Sequence, residues 1–354
     1  MSIIGSWSPP LRWLAPLLMA VTSSAGAQWA TQPSGTDAAF RGFSVIDSSS
    51  AWVSGTRGTF AWTDDGGKHW HPGRVPAAQS QDFRAVHAFS LDSALLMVSG
   101  QDTALIYRTT DRGRNWTEQY RDTRKGAFLD AIAFFDSNHG LALGDPVSGQ
   151  FVILETRDGG QHWTRGSTVS LPPALPGEGA FAASGTALIT CGPHDAWFAT
   201  GGAARSRVFH SSDSGGTWSV VETPIAAGTA AAGIFSLACR DVQHLIAVGG
   251  NYAKPDSTAV TVALSNDGGL TWVAASPAAS TGYLSGVAYA GGGSGVVAVG
   301  TQGTAISRDA GRTWTALDLQ SLNVVMSVPR SGAVWAAGPH GRIVRMDVAS
   351  SRKH

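Results

Sequence analysis

The sequence predicts an all-β fold, a seven-bladed β-propeller of four-stranded antiparallel blades. Three observations predict it. The motif [ST]-x-D-x-G-x-x-W occurs six times. Its tryptophans recur every 42 to 55 residues, which is the period of a propeller blade rather than of a helical repeat. The segments between are short runs of β-branched and aromatic residues bounded by turn signals, with no long helical periodicity.

The chain of 354 residues opens on an apolar leader. Leu11–Val21 (LRWLAPLLMAV) carries Arg12 near its start, and Ala25-Gly26-Ala27 supplies a small-x-small site. These features predict a signal peptide over 1–27, cleaved between Ala27 and Gln28, and a periplasmic or secreted protein. A single propeller over 28–348 and a short tail at 349–354 follow. No apolar run of about eighteen residues appears after the leader, so the mature chain should hold no membrane span. Lys+Arg 25 against Asp+Glu 25 gives no net charge, which argues against nucleic acid as a partner. Charged residues are only 14% and glycines number 44, as many short strands joined by tight turns require.

Units begin near Phe40, Phe83, Phe128, Gly185, Ile234, Leu284 and Leu322. The second shows the pattern: FRAVHAF (83–89), ALLMVSG (94–100), ALIYRT (104–109), the motif, then an outer strand from Thr117. The first six units end in the motifs, with aspartate and tryptophan at Asp65 and Trp70, Asp111 and Trp116, Asp158 and Trp163, Asp213 and Trp218, Asp267 and Trp272, and Asp309 and Trp314. The aspartate is a short acceptor for nearby backbone N–H groups. The glycine permits positive φ, and the Ser or Thr hydroxyl adds a local bond. The tryptophan can wedge between neighbouring sheets. A calcium loop would need several more oxygen ligands per copy. Six copies mark scaffolding, with no metal.

The seventh unit has three strands and no motif. An open ring would leave unpaired sheet edges. Gln28–Thr31 precedes the first unit by about the distance at which Trp70 precedes the second. The N-terminal strand is therefore expected to complete blade seven, with Trp29 in the place of a motif tryptophan. Cys191 and Cys239 each stand ten residues before a Gly-Gly pair, so they are matched positions of adjacent blades. They are read either as a disulfide of an exported protein or as two buried thiols.

A propeller sorts its loops onto two faces. The motif turns occupy one; the lead-ins to the innermost strands and the second-to-third loops share the other. Candidate ligand-binding residues on that second face are Arg41, Arg84, Asp130, Asp145, Glu178, Arg205, Tyr252, Lys254, Tyr283 and His340. Arginines, carboxylates and aromatics converging on a channel mouth describe a polar binding pocket. Asp130, Asp145 and Glu178 are the candidate acids of an alternative glycoside hydrolase. No cofactor is expected: there is no dinucleotide fingerprint, haem attachment motif or metal cluster. The chain is expected to be a monomer.

The motifs resemble Asp boxes, or BNR repeats, of the sialidase-like superfamily of WD40/YVTN/BNR-like propellers. A box in almost every unit, with GLALGDPVSGQFVILETRDGG, LPGEGAFAASGT and GIFSLACRD, is similar to a bacterial branch of the photosystem II assembly and stability factors. That resemblance implies a binding scaffold whose arginine-bearing face holds a protein client, with Arg41, Arg57, Arg84 and Arg205 in that role. A glycan is the other ligand considered. Resemblance to sialidases would instead cast Arg41, Arg84 and Arg205 on a substrate carboxylate, with Tyr283 and Glu178 as nucleophile pair. FRGF at 40–43 departs from the Phe-Arg-Ile-Pro of sialidases.

Overall fold

The computed structural model describes residues 28–166, 170–257, 259–275, 282–290, 293–328 and 331–348, with Met1, Ser2 and Gly5. The rest of the 1–27 leader, including Ala27 of the expected cleavage junction, and the 349–354 tail lie outside the described residues. No helix among the described residues is long and apolar enough to cross a membrane. The strands form seven four-stranded antiparallel sheets, each built in chain order except the last. Blade two runs Phe83–Ala88, Ala94–Gly100, Thr103–Thr109 and Thr117–Asp122. Most of its second and third strands is buried, the first is buried at every core-facing position of its first four residues, and the fourth has no buried residue. Glycines in the later part of two second strands stand where the neighbouring chain passes close. A Cβ at Gly144 would lie 2.4 Å from the Phe128 carbonyl oxygen, and one at Gly249 would lie 1.9 Å from that of Gly233.

The ring closes with the first strand. Ala30–Pro33 pairs antiparallel with Arg342–Asp347, Ala30 opposite Arg345 and Pro33 opposite Arg342. It completes the sheet of Val324–Ser327, Ala333–Ala337 and Arg342–Asp347. Trp29 is buried in a core shared with Ile306, Val344 and Met346, and its Nε1 donates to Thr304 Oγ1 of blade six at 3.0 Å. Trp70 does the same one step on, packing edge-on to Trp335 of blade seven at 6.4 Å. The N-terminal tryptophan thus does the work of a box tryptophan.

The box turns repeat one hydrogen-bond pattern. In the first, Thr63 Oγ1 donates to Asp65 Oδ1 at 3.0 Å and accepts from Gly67 N at 3.0 Å. Asp65 Oδ1 also accepts from His69 N at 2.9 Å. The aspartate therefore reaches four residues on, further than the one or two that a simple Asx turn would span. The His69 N–H comes first among the groups that hold the Asp65 carboxyl well below the usual carboxylate range. The residue before the glycine is left-handed as well, even where it carries a side chain: φ is 62° at Arg112, 62° at Ser214 and 61° at Ala310. The aligned position is glycine in the other three boxes, at Gly66, Gly159 and Gly268, which marks the conformation that Arg112, Ser214 and Ala310 share. Four of the indoles, Trp116, Trp218, Trp272 and Trp314, donate Nε1 to the carbonyl of their own box glycine.

Cys191 and Cys239 are joined in a disulfide, Cα atoms 6.5 Å apart. It links the box-side ends of the innermost strands of blades four and five, Leu188–Cys191 and Ala232–Cys239.

Two stability measurements follow from this packing. Trp163, buried against Phe134 with ring centroids 6.0 Å apart, should cost about 3–5 kcal/mol when replaced by alanine, read from denaturant unfolding. Replacing both cysteines by serine opens a cross-link across 48 positions and should cost about 4 kcal/mol by the loop-entropy relation. The same loss should appear when the wild-type protein is unfolded under reducing conditions.

Candidate functional site

Four innermost strands carry the same irregularity. The ladder of each with its second strand shifts register between Phe40 and Gly42, Phe83 and Ala85, Leu129 and Ala131, and Ile234 and Ser236. The residues set out of register are Arg41, Arg84, Asp130 and Phe235. A bulge adds one unpaired residue and re-aims its side chain. One slot, repeated in blades one, two, three and five, thus holds Arg41, Arg84 and Phe235 on the wall of the channel mouth and the buried Asp130 behind it.

A segment without a counterpart in the other blades closes that channel. Residues 179–187 lead into the fourth inner strand but run inside the ring. Arg84 Nη1 of blade two donates to Ala182 O at 3.2 Å. A Cβ on Gly185 would lie 3.1 Å from Ala85 Cβ. On the opposite side Thr186 Oγ1 meets Ser236 Oγ of blade five at 2.7 Å, and Leu237 N donates to Thr186 O at 2.9 Å. Blades two and five are not neighbours, so the segment is a plug. Above it lies a cavity of about 450 Å³ bounded by Ala180 to Ala183, and below it a smaller one of about 210 Å³ that includes Ser184 to Thr186.

Glu178 anchors this plug. Its side chain is wholly buried and accepts from Thr200 Oγ1 at 2.6 Å, Leu175 N at 2.7 Å and Arg207 Nε at 2.8 Å, with a second bond from Arg207 Nη2. Arg207 in turn lies over the Phe209 ring, 4.8 Å from its centroid. Gly179 and Gly201 exchange backbone bonds, and Asp145 Oδ1 accepts from Ala180 N at 3.0 Å.

The upper cavity is lined by Arg41, Arg84, Phe128, Asp145, Phe181, Phe235, Tyr252, Tyr283, Thr301 and Asn323 together with the plug alanines. Arg41 and Arg84 are half-buried, and no ion pair involves either among the described residues. Burial first, and the neighbouring Arg84 second, lower the pKa of Arg41. Arg84 Nε is buried without a hydrogen-bond partner, as are both carboxyl oxygens of Asp130. Burial, and then the nearby Asp145, raise the Asp130 pKa well above the ordinary value; Arg84 opposes this. Asp145 is raised as well, again chiefly by burial. The remaining wall is aromatic. Burial lifts the Tyr283 phenol above its usual range.

Of the residues expected on this face, the structure brings Arg41, Arg84, Asp145, Tyr252 and Tyr283 to one cavity and sets Asp130 behind it. It does not bring the others. Glu178 is consumed by Arg207 in the plug's anchor. Arg205, in the loop before the third strand of blade four, pairs with Glu222 of the outer strand, both exposed. His340 is exposed and faces Asp37 at 3.4 Å, as Arg57 does at 3.8 Å. Lys254 is exposed and outside the cavity wall. The three-arginine cluster of a sialidase is therefore not assembled. Sequence reasoning missed Phe128, Phe181, Thr301 and Asn323. For Phe181 a signal existed: the interval from Trp163 to Trp218 is 55 residues against 46 and 47 before it, and the extra length is the plug.

A family profile described as "Photosynthesis system II assembly factor YCF48" matches residues 21–125, a stretch that contains both pocket arginines. The "Photosystem II assembly lipoprotein Ycf48" of Synechococcus sp. (strain CC9902) is 26% identical over 120 residues, 34% of this chain and 34% of that protein. The match thus spans about a third of the relative's length. Among solved structures, "YCF48 bound to D1 peptide" aligns with a TM-score of 0.64 at 16% identity, over 92% of this chain and 97% of that one. "YCF48 from Cyanidioschyzon merolae" aligns with a TM-score of 0.62 at 17% identity, over 90% and 98%. The chain is a propeller resembling the photosystem II assembly factors, and the structural likeness is one of fold.

Asp130 offers a test of the site's electrostatics. Its folded pKa lies above the unfolded value, so folding disfavours the ionised form and the penalty grows as pH rises through the unfolded pKa of about 3.9. Asp130→Asn removes it. The variant should melt higher than wild type at pH 7, by roughly 2–4 °C for each kcal/mol recovered, and the gain should vanish near pH 4. Melting curves at the two pH values measure this.

Proposed function

We propose that this chain is an exported, non-catalytic propeller that binds an anionic segment of a protein client in the plugged mouth of its channel. The observation that carries the reading is the pair Arg41 and Arg84. Eight other arginines among the described residues have carboxylate partners. These two stand together, partly desolvated, on a cavity wall with none. Adjacent guanidiniums without an ion-pair partner are stabilised by an incoming carboxylate, to which their N–H groups can donate charge-assisted hydrogen bonds. A solved propeller of the same fold carries a peptide, which supports a protein rather than a glycan as the client class here. The disulfide supports an oxidising compartment.

Hydrolysis is disfavoured by the same geometry. Glycoside cleavage needs two carboxyl groups flanking one bond. Of the three candidates, Glu178 is wholly buried in an ion pair and the Asp130 oxygens are sealed behind the wall. Asp145 alone lines the cavity, and its Oδ1 is committed to the Ala180 N–H.

The test is direct. Short synthetic peptides rich in Asp and Glu should bind the full chain in a fluorescence-polarisation assay, and Arg84→Ala should weaken them at least tenfold, the loss of a charge-assisted pair of about 1.5–3 kcal/mol. Equal affinity of wild type and variant would sink the reading, as would turnover of a glycan panel that Asp145→Asn abolishes.

A further inference from the structure

We infer that the aromatic wall of the cavity is a specificity subsite, taking an aromatic or branched aliphatic side chain placed next to the client's carboxylate. This rests on the anionic-peptide reading above and adds the side-chain class.

The wall is built from four chain segments: Phe181 on the plug, Phe235 in the bulge slot of blade five, Tyr252 after the second strand of that blade, and Tyr283 leading into blade six. Phe181 and Phe235 stack with centroids 3.9 Å apart and planes at 15°. Tyr283 meets Phe235 edge-on at 4.8 Å. Phe235, Tyr283 and Ala183 form a buried cluster of their own, with Phe181 packed on it, apart from the cores between blades. The rings are therefore not filler between sheets. They stand in the channel mouth.

Tyr252 completes the wall without being covered by it. It is 54% exposed and approaches the other three rings only at 6.1–6.5 Å, near the outer limit for aromatic pairs. Tyr252 and the half-buried Phe181, backed by the buried Phe235, thus leave aromatic surface open to the cavity, whose other wall carries the two arginines. An occupant that satisfies both walls must place a carboxylate and a flat or branched apolar group close together. The plug limits its size. A cavity of about 450 Å³ closed at its floor admits a short stretch of chain and does not let a polypeptide thread through. A peptide in which Asp or Glu adjoins Phe, Tyr, Leu or Ile has this chemistry; an acidic peptide with alanine or lysine beside the carboxylate does not.

The experiment uses acetylated, dye-labelled hexapeptides that share one acidic residue and vary its neighbour among Phe, Leu, Ala and Lys. The wild-type chain should prefer Phe and Leu over Ala by about tenfold, the value of one aromatic contact plus its buried area. Tyr252→Ala, at an exposed position where folding is not at stake, should remove most of that preference while Asp-Ala peptides keep their affinity. Tyr252→Phe should retain it. If Asp-Ala and Asp-Phe peptides bind alike, or if Tyr252→Ala weakens all of them equally, the subsite is refuted while the arginine-based reading stands. If acidic peptides do not bind at all, or Arg84→Ala has no effect, the underlying reading fails. If acidic oligosaccharides bind and acidic peptides do not, with the binding lost in Tyr252→Ala, the peptide class is overturned.

Discussion

The seventh sheet has its full four strands only because the first strand of the chain completes it, and this closure constrains everything else in the molecule. The seam lies inside blade seven, between Arg342–Asp347 and the N-terminal strand Ala30–Pro33, where only backbone hydrogen bonds join the two ends of the chain, and side chains of the closing blade reach on to blade one. Gln32 on the closing strand takes the Trp70 indole N–H on its oxygen and gives its own N–H to the Gly66 carbonyl. Arg345 reaches the same carbonyl while lying over Trp335. On the inner side Asn323 donates to Phe40 O across the join. In most other blades the indole N–H turns back to its own box glycine. At the seam it crosses to the neighbouring blade, because there a bond to the own turn would contribute nothing to closure.

With the ring closed, the two faces divide their labour. The box turns satisfy their own polar groups: the hydroxyl, the carboxylate and the strained backbone are consumed locally six times over. Such a face has little chemistry left for a ligand. The opposite face is different. There four of the innermost strands bulge, and each bulge frees one side chain from the alternation that a regular ladder imposes. Rigid sheets hold those side chains while the core is unaffected by their identity, so Arg, Asp and Phe occupy equivalent places. Binding chemistry therefore varies at slots whose backbone is set by scaffolding.

This division also explains what was legible in the sequence. Repetition made the boxes, the seven units and the closing role of Trp29 readable, because each instance tests the others. The bulge slots were readable as FRG, FRA, LDA and IFS at the head of inner strands, so Arg41, Arg84 and Asp130 were found on the right face. The plug occurs once, and nothing in the repeat predicts where a unique insertion folds back. Glu178 looked like a free carboxylate for that reason. Its partner Arg207 sits in a strand 29 positions later, and only the fold shows that the two meet. The left-handed Arg112, Ser214 and Ala310 are set by the box's hydrogen bonds overriding the preference of the residue itself.

The plug turns an axial channel into a bowl, and its anchor shows why the bowl's polar lining can be left unsatisfied. The Glu178–Arg207 pair is deeply buried but fully hydrogen-bonded, the condition under which a buried ion pair is tolerable. It fixes the backbone of Gly179 and Ala180, which in turn engages Asp145. Behind that fixed floor, Asp130 and the Nε of Arg84 lie buried without partners, a cost the fold does not need for its own stability. Pairing Asp130 fully with Arg84 would stabilise the empty protein and at the same time remove one of the two charges available to a ligand. The Arg84 guanidinium instead donates to the plug at Ala182 O, and burial raises the pKa of the Asp130 carboxyl beyond it.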